Sequence, residues 1–260
     1  MEISNSKVEA EIGGRTLTIE RSTLAPQANS SVTVRYGDTL VLVTATVSSP
    51  RQGMDFFPLL VDFEEKMYAA GRMPGIRFTR REGRPPEAAI LSARLIDRTI
   101  RPLFPDGARN DVQVVITPLS YDGENYLDIP GLIGASAALS TSNIPWDGPV
   151  GAVRIGMIDD QFILNPTRSE LADSQLDLIV AATSDGVNMI EAGANQISED
   201  QIFKAMEFAY ESLQPLVKLQ SELAAHSPSA KMEFTFSLPA PELVEAAQRI
   251  SGKALLEAPP

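Results

Sequence analysis

The sequence contains no cysteine and a single histidine, His226. Without cysteine the chain has no disulfide bonds, no thiolate metal ligands and no cysteine nucleophile, as is typical of proteins in a reducing compartment. His226 opens the segment His-Ser-Pro-Ser, which has the composition of a linker and offers no folded setting for a general base. The lack of cysteine and the position of the one histidine argue against triad hydrolases and zinc enzymes.

Long apolar runs and phosphate-binding glycine motifs are also missing. No stretch of about 18 apolar residues occurs, and residues 1–18 lack the apolar core of a signal peptide, so we expect no membrane partner. No glycine pattern matches a P-loop or a dinucleotide-binding motif. One or two carboxylates suffice for Mg²⁺ when substrate phosphates complete its coordination shell, so the sequence leaves a magnesium site open.

Charge is the most informative feature that is present. The 260 residues include 22 Lys and Arg against 34 Asp and Glu, a net charge of −12, which at first argues against a polyanionic partner. Residues 72–101, however, contain eight arginines, no lysine and three acids, a local charge of +5 that leaves −17 for the rest of the chain. Guanidinium groups bind phosphates bidentately and stack on bases. The window is therefore either a nucleic-acid contact or a cluster saturated by carboxylates.

The first fifty residues have the alternating pattern of two β-hairpins. Their turns are Gly13-Gly14 and Gly37-Asp38, and their strands are predicted at 8–12, 16–20, 31–36 and 39–47. Residues 40–43, Leu-Val-Leu-Val, form an apolar run that predicts a central strand buried on both faces.

A helix is predicted to follow the arginine-rich segment. Pro85-Pro86-Glu87 is a helix start and Pro102 marks the end, with an apolar stripe of Ala88, Leu91 and Leu95. Its arginines Arg94, Arg98 and Arg101 are spaced four and three apart, so they share one face. Asp97 is placed to pair with Arg94 or Arg101, which is the purely structural alternative.

The remainder of the chain alternates strands and helices. The predicted elements are a strand at 111–119, a buried helix at 131–140, a hairpin of 152–155 and 161–164, a second hairpin of 177–183 and 187–191, a helix from the capping box at 198–201 to about residue 225, and a helix at 241–256. The last helix has few partners for its apolar face, so we expect the chain to be the front part of a longer protein.

The segment 75–85, Gly-Ile-Arg-Phe-Thr-Arg-Arg-Glu-Gly-Arg-Pro, has the strongest chemical character in the sequence. It sets Phe78 beside Arg77, Arg80 and Arg81. Single-stranded nucleic acid is bound in this way, because bases stack on the ring and phosphates contact the guanidiniums. The alternative is that Phe78 anchors the loop in the core.

Several sequence blocks, in order, resemble the bacterial and plastid polynucleotide phosphorylase family. The blocks that carry the resemblance are Phe56-Phe57-Pro58-Leu59, Tyr68-Ala69-Ala70-Gly71-Arg72-Met73-Pro74-Gly75, Arg80-Arg81-Glu82-Gly83-Arg84-Pro85, Ala93-Arg94-Leu95-Ile96-Asp97-Arg98, Ile100-Arg101-Pro102-Leu103-Phe104-Pro105, Ile133-Gly134-Ala135-Ser136-Ala137-Ala138-Leu139 and Leu164-Asn165-Pro166-Thr167. The family's channel loop usually reads Phe-Phe-Arg-Arg, so Thr79 replaces its second aromatic residue here.

The resemblance implies an α+β fold: an RNase PH-like domain with mixed β-sheets packed against helices, followed by the beginning of a small helical domain. It places the first RNase PH-like domain at 1–225, a linker at 226–240 and the start of the all-helical domain at 241–260. It also implies a homotrimer that threads single-stranded RNA through a central channel, other RNA-degradation proteins as possible partners, and a cytoplasmic location, or the plastid stroma in a plant.

By the same resemblance, the longer protein degrades RNA from its 3′ end by phosphorolysis, with inorganic phosphate as co-substrate and Mg²⁺ as cofactor. The phosphate loop and metal ligands are expected in a second RNase PH-like domain, because residues 127–131, Leu-Asp-Ile-Pro-Gly, lack the family's serine cluster. This chain is then the non-catalytic copy. The predicted RNA contacts are Arg77, Phe78, Arg80, Arg81, Arg94, Arg98 and Arg101. The alternatives are a non-catalytic RNA-binding ring subunit of an exosome-like assembly and a stand-alone RNase PH-type exonuclease.

Overall fold

The computed structural model describes residues 6–73, 75, 83–226 and 229–256. Within these residues the chain forms two β-sheets and five α-helices. The first sheet has six strands: β1 (Lys7–Ile12), β2 (Arg15–Arg21), β3 (Ser30–Tyr36), β4 (Thr39–Ser48), β5 (Leu59–Phe63) and β6 (Asp111–Ser120). Their order across the sheet is β1-β2-β3-β4-β6-β5. The mixture of sheets and helices confirms the predicted α+β class.

The second sheet has four strands: β7 (Gly151–Ile158), β8 (Gln161–Leu164), β9 (Leu176–Ala182) and β10 (Val187–Ala194). Their order is β10-β9-β7-β8, and every pairing is antiparallel. The hairpin between β7 and β8 turns at Asp159 and Asp160, which both have positive φ angles. Aspartate tolerates this backbone region better than most residues, so the adjacent carboxylates belong to a turn, as the sequence predicts.

The five α-helices are α1 (Glu87–Ile100), α2 (Asp128–Thr141), α3 (Arg168–Ala172), α4 (Glu199–His226) and α5 (Pro241–Leu256). Helix α2 packs against β3 and β4 of the first sheet, β7 of the second sheet and α4. Nearly all of its residues are buried, so the predicted buried helix is confirmed as the centre of the core. None of the described helices is long and apolar enough to cross a membrane.

Two predictions about buried faces need correction. In β4, Val41 and Val43 are fully buried, but Leu40 and Leu42 on the opposite face are only partly covered, so this central strand is not buried on both faces. In α1, Leu91 is 56% exposed, and the buried side chains are Ala89, Leu95, Ile96, Thr99 and Ile100. The helix is rotated relative to the predicted stripe because it packs on both β5 and α2.

Strands β5 and β6 form the one parallel pair among the described strands, with Leu59 opposite Val112 and Phe63 opposite Ile116. The chain leaves the end of β5, passes through residues 64–86 and then α1, and returns as β6. A β-α-β unit of this kind brings the carboxyl ends of both strands to the same edge of the sheet.

The segment after α4 returns to the domain before α5 begins. The ammonium group of Lys231 donates to the carbonyls of Leu139, Ser140 and Ser142 at the end of α2, at 2.9–3.4 Å. Phe234 is buried, and the Thr235 N–H donates to the Asn110 side chain at 2.9 Å. In α5, by contrast, Leu243 and Ile250 are exposed. The predicted domain boundaries at residues 225 and 240 stay a prediction.

Candidate nucleic-acid interface

Helix α1 places Arg94, Arg98 and Arg101 along one groove, as their spacing predicts. The groove has a volume of about 490 Å³, and strand β5 forms its other wall. Arg94 is exposed and has no carboxylate within ion-pair distance among the described residues. It is therefore the most available of the three guanidiniums for a phosphate.

Arg98 reaches across from α1 to the second sheet. One of its terminal nitrogens donates to the Glu191 carboxylate on β10 at 2.6 Å and lies 3.5 Å from the Met189 sulfur. Both charged side chains are about half exposed, so the pair adds little to stability and exchanges readily with solvent. Arg98 can therefore change partner at a low free-energy cost.

Arg101 is already bound on several sides. Its guanidinium donates to both oxygens of Asp97 at 2.9 and 2.6 Å, and to the carbonyls of Phe57 and Leu59 at 3.3 and 3.1 Å. It also lies over the Phe57 ring, 5.9 Å from its centroid. The alternative of a structural pair with Asp97 is thus confirmed for Arg101, although its RNA contact stays a prediction.

Arg77, Phe78, Arg80 and Arg81 lie outside the described residues. The described residues on either side, Arg72 and Arg84, are exposed and line one cavity. The chain enters α1 directly after this segment, with Pro86 at the N-cap and no side-chain hydrogen bond capping the helix. The predicted loop is therefore flanked by the exposed arginines Arg72 and Arg84. Its second end leads into the amino end of α1, where anions are favoured.

A second charge cluster lies at the amino end of α2. The Arg154 guanidinium, from β7, donates to both Asp177 oxygens at 2.6 and 2.7 Å and to Asp128 Oδ2 at 2.6 Å. Its side chain is only 7% exposed and stacks on the Tyr126 ring at 4.0 Å. Burial lowers the pKa of Arg154, but attraction by the two carboxylates outweighs burial and raises that pKa, so the group is charged.

This cluster does not fit Mg²⁺ or a phosphate. The two carboxylates that could coordinate a cation converge on the Arg154 guanidinium, and no group of three or more potential metal ligands occurs among the described residues. At the amino end of α2, Asp128 accepts the Ile129 N–H at 2.8 Å and presents a carboxylate, which repels an anion there. The residues that the structure describes therefore support no step through Mg²⁺.

The sequence reasoning missed several residues that the fold brings together. Arg154 carried a signal, because it is a charge inside the otherwise apolar strand β7, and such residues are rarely buried without a partner. Arg168 carried no comparable signal. It is exposed at the start of α3 and lies over the Tyr121 and Tyr126 rings at 5.9 and 4.7 Å.

Two family models match this chain, and they describe the two domains of one family. The RNase PH model, described as the 3′ exoribonuclease family, domain 1, matches residues 13–145, and the model for domain 2 of the same family matches residues 148–212. Together they cover strands β2 to β10 and the first half of α4.

Individual relatives are named polyribonucleotide nucleotidyltransferase. The protein of Heliobacterium modesticaldum is 52% identical over 249 residues, which is 95% of this chain and 35% of the relative. The protein of Thermomicrobium roseum is 53% identical over 242 residues, 93% of this chain and 30% of the relative. The chain thus spans about a third of the length of the curated relatives it matches.

Two solved structures share the fold at low sequence identity. Rice (Oryza sativa) Rrp46 aligns with a TM-score of 0.66 and 16% identity, covering 80% of this chain and 94% of Rrp46. A chain of the Archaeoglobus fulgidus exosome with RNA bound to the active site aligns with a TM-score of 0.65 and 20% identity, covering 78% of this chain and 87% of that chain. These likenesses confirm the RNase PH-like fold.

Proposed function

Since this chain belongs to the RNase PH family of 3′ exoribonucleases, we propose that it is the non-catalytic, RNA-guiding part of a phosphorolytic exoribonuclease. The observation that carries the proposal is the 52% identity to a polyribonucleotide nucleotidyltransferase over 95% of the chain. The Arg154 cluster supports the non-catalytic assignment, since a guanidinium occupies the space between Asp128 and Asp177.

The reaction proposed for the longer protein is attack of inorganic phosphate on the last phosphodiester of an RNA strand. A bond forms between a phosphate oxygen and the phosphorus, and the bond from phosphorus to the 3′ oxygen of the preceding nucleotide breaks. The terminal nucleotide leaves as a nucleoside diphosphate, and the shortened RNA regains a 3′ hydroxyl by taking up a proton. Mg²⁺, held by residues beyond this chain, would stabilise the negative charge of the transition state.

In this proposal the chain holds the RNA strand on its way to the reaction centre. Phe78 stacks on a base, and Arg77, Arg80 and Arg81 contact the backbone. Arg94 and Arg98 add phosphate contacts along the α1 groove. Arg101 ties the end of α1 to the carbonyls of Phe57 and Leu59, beside its predicted RNA contact. A homotrimer with this basic segment around a central opening, and a cytoplasmic location, belong to the same proposal.

The RNA contacts are tested with the double variant Arg80→Ala/Arg81→Ala. Each phosphate contact on single-stranded nucleic acid contributes about −0.7 to the slope of log K against log salt concentration. We expect weaker binding of an oligouridylate and a slope reduced by roughly 1.4. The control is Arg249→Ala, an exposed arginine on α5. Unchanged affinity and slope in the double variant would exclude these residues from the interface.

The second candidate is a ring subunit that binds RNA without any catalytic partner domain. It is favoured by one observation, the fold likeness to Rrp46 and to the exosome chain. The test adds phosphate, Mg²⁺ and single-stranded RNA to the longer protein and to this chain in parallel. If the longer protein releases nucleoside diphosphate and this chain does not, the enzyme is supported. If neither protein releases it, the ring subunit is supported. Strong release by this chain without the rest of the longer protein would overturn both candidate functions.

A further inference from the structure

A cavity of about 520 Å³ opens beyond the carboxyl ends of the parallel strands β5 and β6. Its walls come from the residues directly after β5, the end of β6 and the turn that leads into α1. Ligands of sheets with parallel β-α-β units bind in the crevice outside the carboxyl ends of the strands. The volume also lies within the roughly 300–1,000 Å³ that is usual for small-molecule sites.

Backbone hydrogen bonds hold the walls of this cavity in place. The N–H of Glu64 donates to the Ile116 carbonyl at 2.8 Å, and the N–H of Tyr121 donates to the Ala69 carbonyl at 2.8 Å. Gly71 has a φ angle of 66°, a conformation that favours glycine, and turns the chain so that Arg72 N–H donates to the Met67 carbonyl at 3.0 Å. The cavity is therefore built by the fold around the β5–β6 edge.

The rim of the cavity is basic. Arg72, Arg84 and Arg168 line it, are exposed, and have no carboxylate within ion-pair distance among the described residues. Of the acids in the lining, Glu64 pairs with Lys66 at 2.6 Å. Glu65 is half-buried, and burial raises the pKa of its carboxyl while attraction by Arg168 opposes this. The described lining thus contains three guanidiniums, and Glu65 is the one carboxylate in it that is not paired with a lysine.

The inner wall of the cavity is apolar. Phe63, Pro118 and Leu127 line it beside the partly exposed ring of Tyr121. Apolar surface and an aromatic ring next to guanidiniums are the two elements of a site for a phosphorylated aromatic ligand. A free inorganic anion would use the rim alone.

We propose that this cavity binds a phosphorylated nucleotide, with its phosphate on the rim of Arg72, Arg84 and Arg168 and its base against the apolar wall. The cavity adjoins the α1 groove and shares Phe63, Glu64 and Pro85 with it, but the three rim arginines line the cavity only. The proposal goes beyond the RNA-guiding function, since it needs neither phosphorolysis nor the residues predicted to contact RNA. The nucleotide unit can be a free nucleoside diphosphate or part of an RNA strand.

The test titrates the 260-residue chain with ADP, adenosine and inorganic phosphate in a calorimeter. We expect ADP to bind at least tenfold more tightly than either of the others, because ADP alone contacts both the rim and the wall. Each of the variants Arg72→Gln, Arg84→Gln and Arg168→Gln should weaken ADP binding by roughly three- to tenfold, as expected for loss of one charge-assisted hydrogen bond. All three side chains are exposed, and thermal unfolding checks that each variant is folded.

The matched control is Arg249→Gln, which makes the same charge change on α5 and should leave ADP affinity within twofold of the starting chain. A general charge effect would weaken binding equally in the control. The proposal is overturned if ADP does not bind at millimolar concentration, if the rim variants bind as well as the control, or if phosphate or adenosine binds as tightly as ADP.

Competition distinguishes the two sources of the nucleotide. If a twelve-nucleotide RNA displaces ADP from the starting chain, the site holds a nucleotide of the RNA strand. If ADP stays bound at saturating RNA, the site holds a free nucleotide. The Arg80→Ala/Arg81→Ala variant keeps the two tests independent. A reduced salt slope of its RNA binding supports the proposed function, and retained ADP binding supports the nucleotide site.

Discussion

Arg154 and Arg168 stack on the same ring, Tyr126, at 4.0 and 4.7 Å. Arg154 is buried and held by Asp128 and Asp177, whereas Arg168 is exposed and faces the cavity at the β5–β6 edge. A buried guanidinium must be neutralised by carboxylates, since an unpaired charge in the interior is costly. The N–H groups of an exposed guanidinium donate to water, and a phosphate can replace that water. Of two arginines that contact the same ring, the buried one is therefore structural and the exposed one is available to a ligand.

The largest expected effect comes from removing the buried member of this pair. Arg154→Met leaves two carboxylates facing each other without a cation, and breaking a buried ion pair costs about 3–5 kcal/mol. Because Asp177 is 43% exposed, we expect the lower end, about 3 kcal/mol of unfolding free energy. Urea denaturation measures it. The matched control, Arg168→Met, loses only an exposed cation–π contact and should cost no more than about 1 kcal/mol, and equal losses in the two variants would contradict the comparison.

The next effect concerns the carboxylate at the amino end of α2. Asp128→Asn keeps an acceptor for the Ile129 N–H but removes the charge that faces Arg154 and the helix end. We expect a loss of about 1–2 kcal/mol in the free energy of unfolding. Glu191→Gln is the control, because its partner Arg98 is half exposed, and it should cost less than about 1 kcal/mol. A larger loss in the control would show that burial does not decide the strength of these pairs.

A smaller effect isolates the contact between Tyr126 and the exposed guanidinium. A double-mutant cycle with Tyr126→Leu and Arg168→Met should give a coupling of about 0.5–1 kcal/mol, the usual range for a cation–π contact at an exposed site. Urea denaturation of the four proteins provides the values. A coupling of zero would mean that Arg168 points away from the ring in solution.

The smallest effect is a pH dependence at the cavity. Burial raises the pKa of Glu65 above its ordinary value of 4.5, so the native chain holds this proton more tightly than the unfolded chain. The stabilising contribution is present below pH 4.5 and is lost as the pH rises through the folded-state pKa. Glu65→Gln should remove this component, a few tenths of a kcal/mol after solvent screening. Unfolding curves at several pH values test it, and identical pH profiles of the two proteins would contradict it.

Local sequence patterns were sufficient for most elements of the fold. The predicted hairpins form between antiparallel strands, with turns at Gly13-Gly14, Asp159-Asp160 and Ser184-Asp185-Gly186. Helix α1 begins at Glu87, and Ser198 and Gln201 exchange hydrogen bonds at the start of α4. These features depend on residues close together in the chain, so short-range chemistry determines them.

The buried face of α1 could not be read in the same way. Ala88, Leu91 and Leu95 have helical spacing, but Leu91 is exposed and Ala89 and Ile96 are buried instead. The helix packs on β5 and on α2 together, so two surfaces distant in sequence decide its rotation. The pairing of Asp97 with Arg101 was predictable, because the two residues are one helical turn apart.

Residue patterns alone were sufficient to predict the family, the α+β class and the concentration of arginine in residues 72–101. Which arginines are neutralised depends on the folded structure. It joined Arg154 to Asp128 and Asp177, and it set Arg72, Arg84 and Arg168 around one cavity. The physical reason is that a guanidinium is neutralised by carboxylates within a few ångströms, and in a folded chain those carboxylates come from elements that are far apart in sequence.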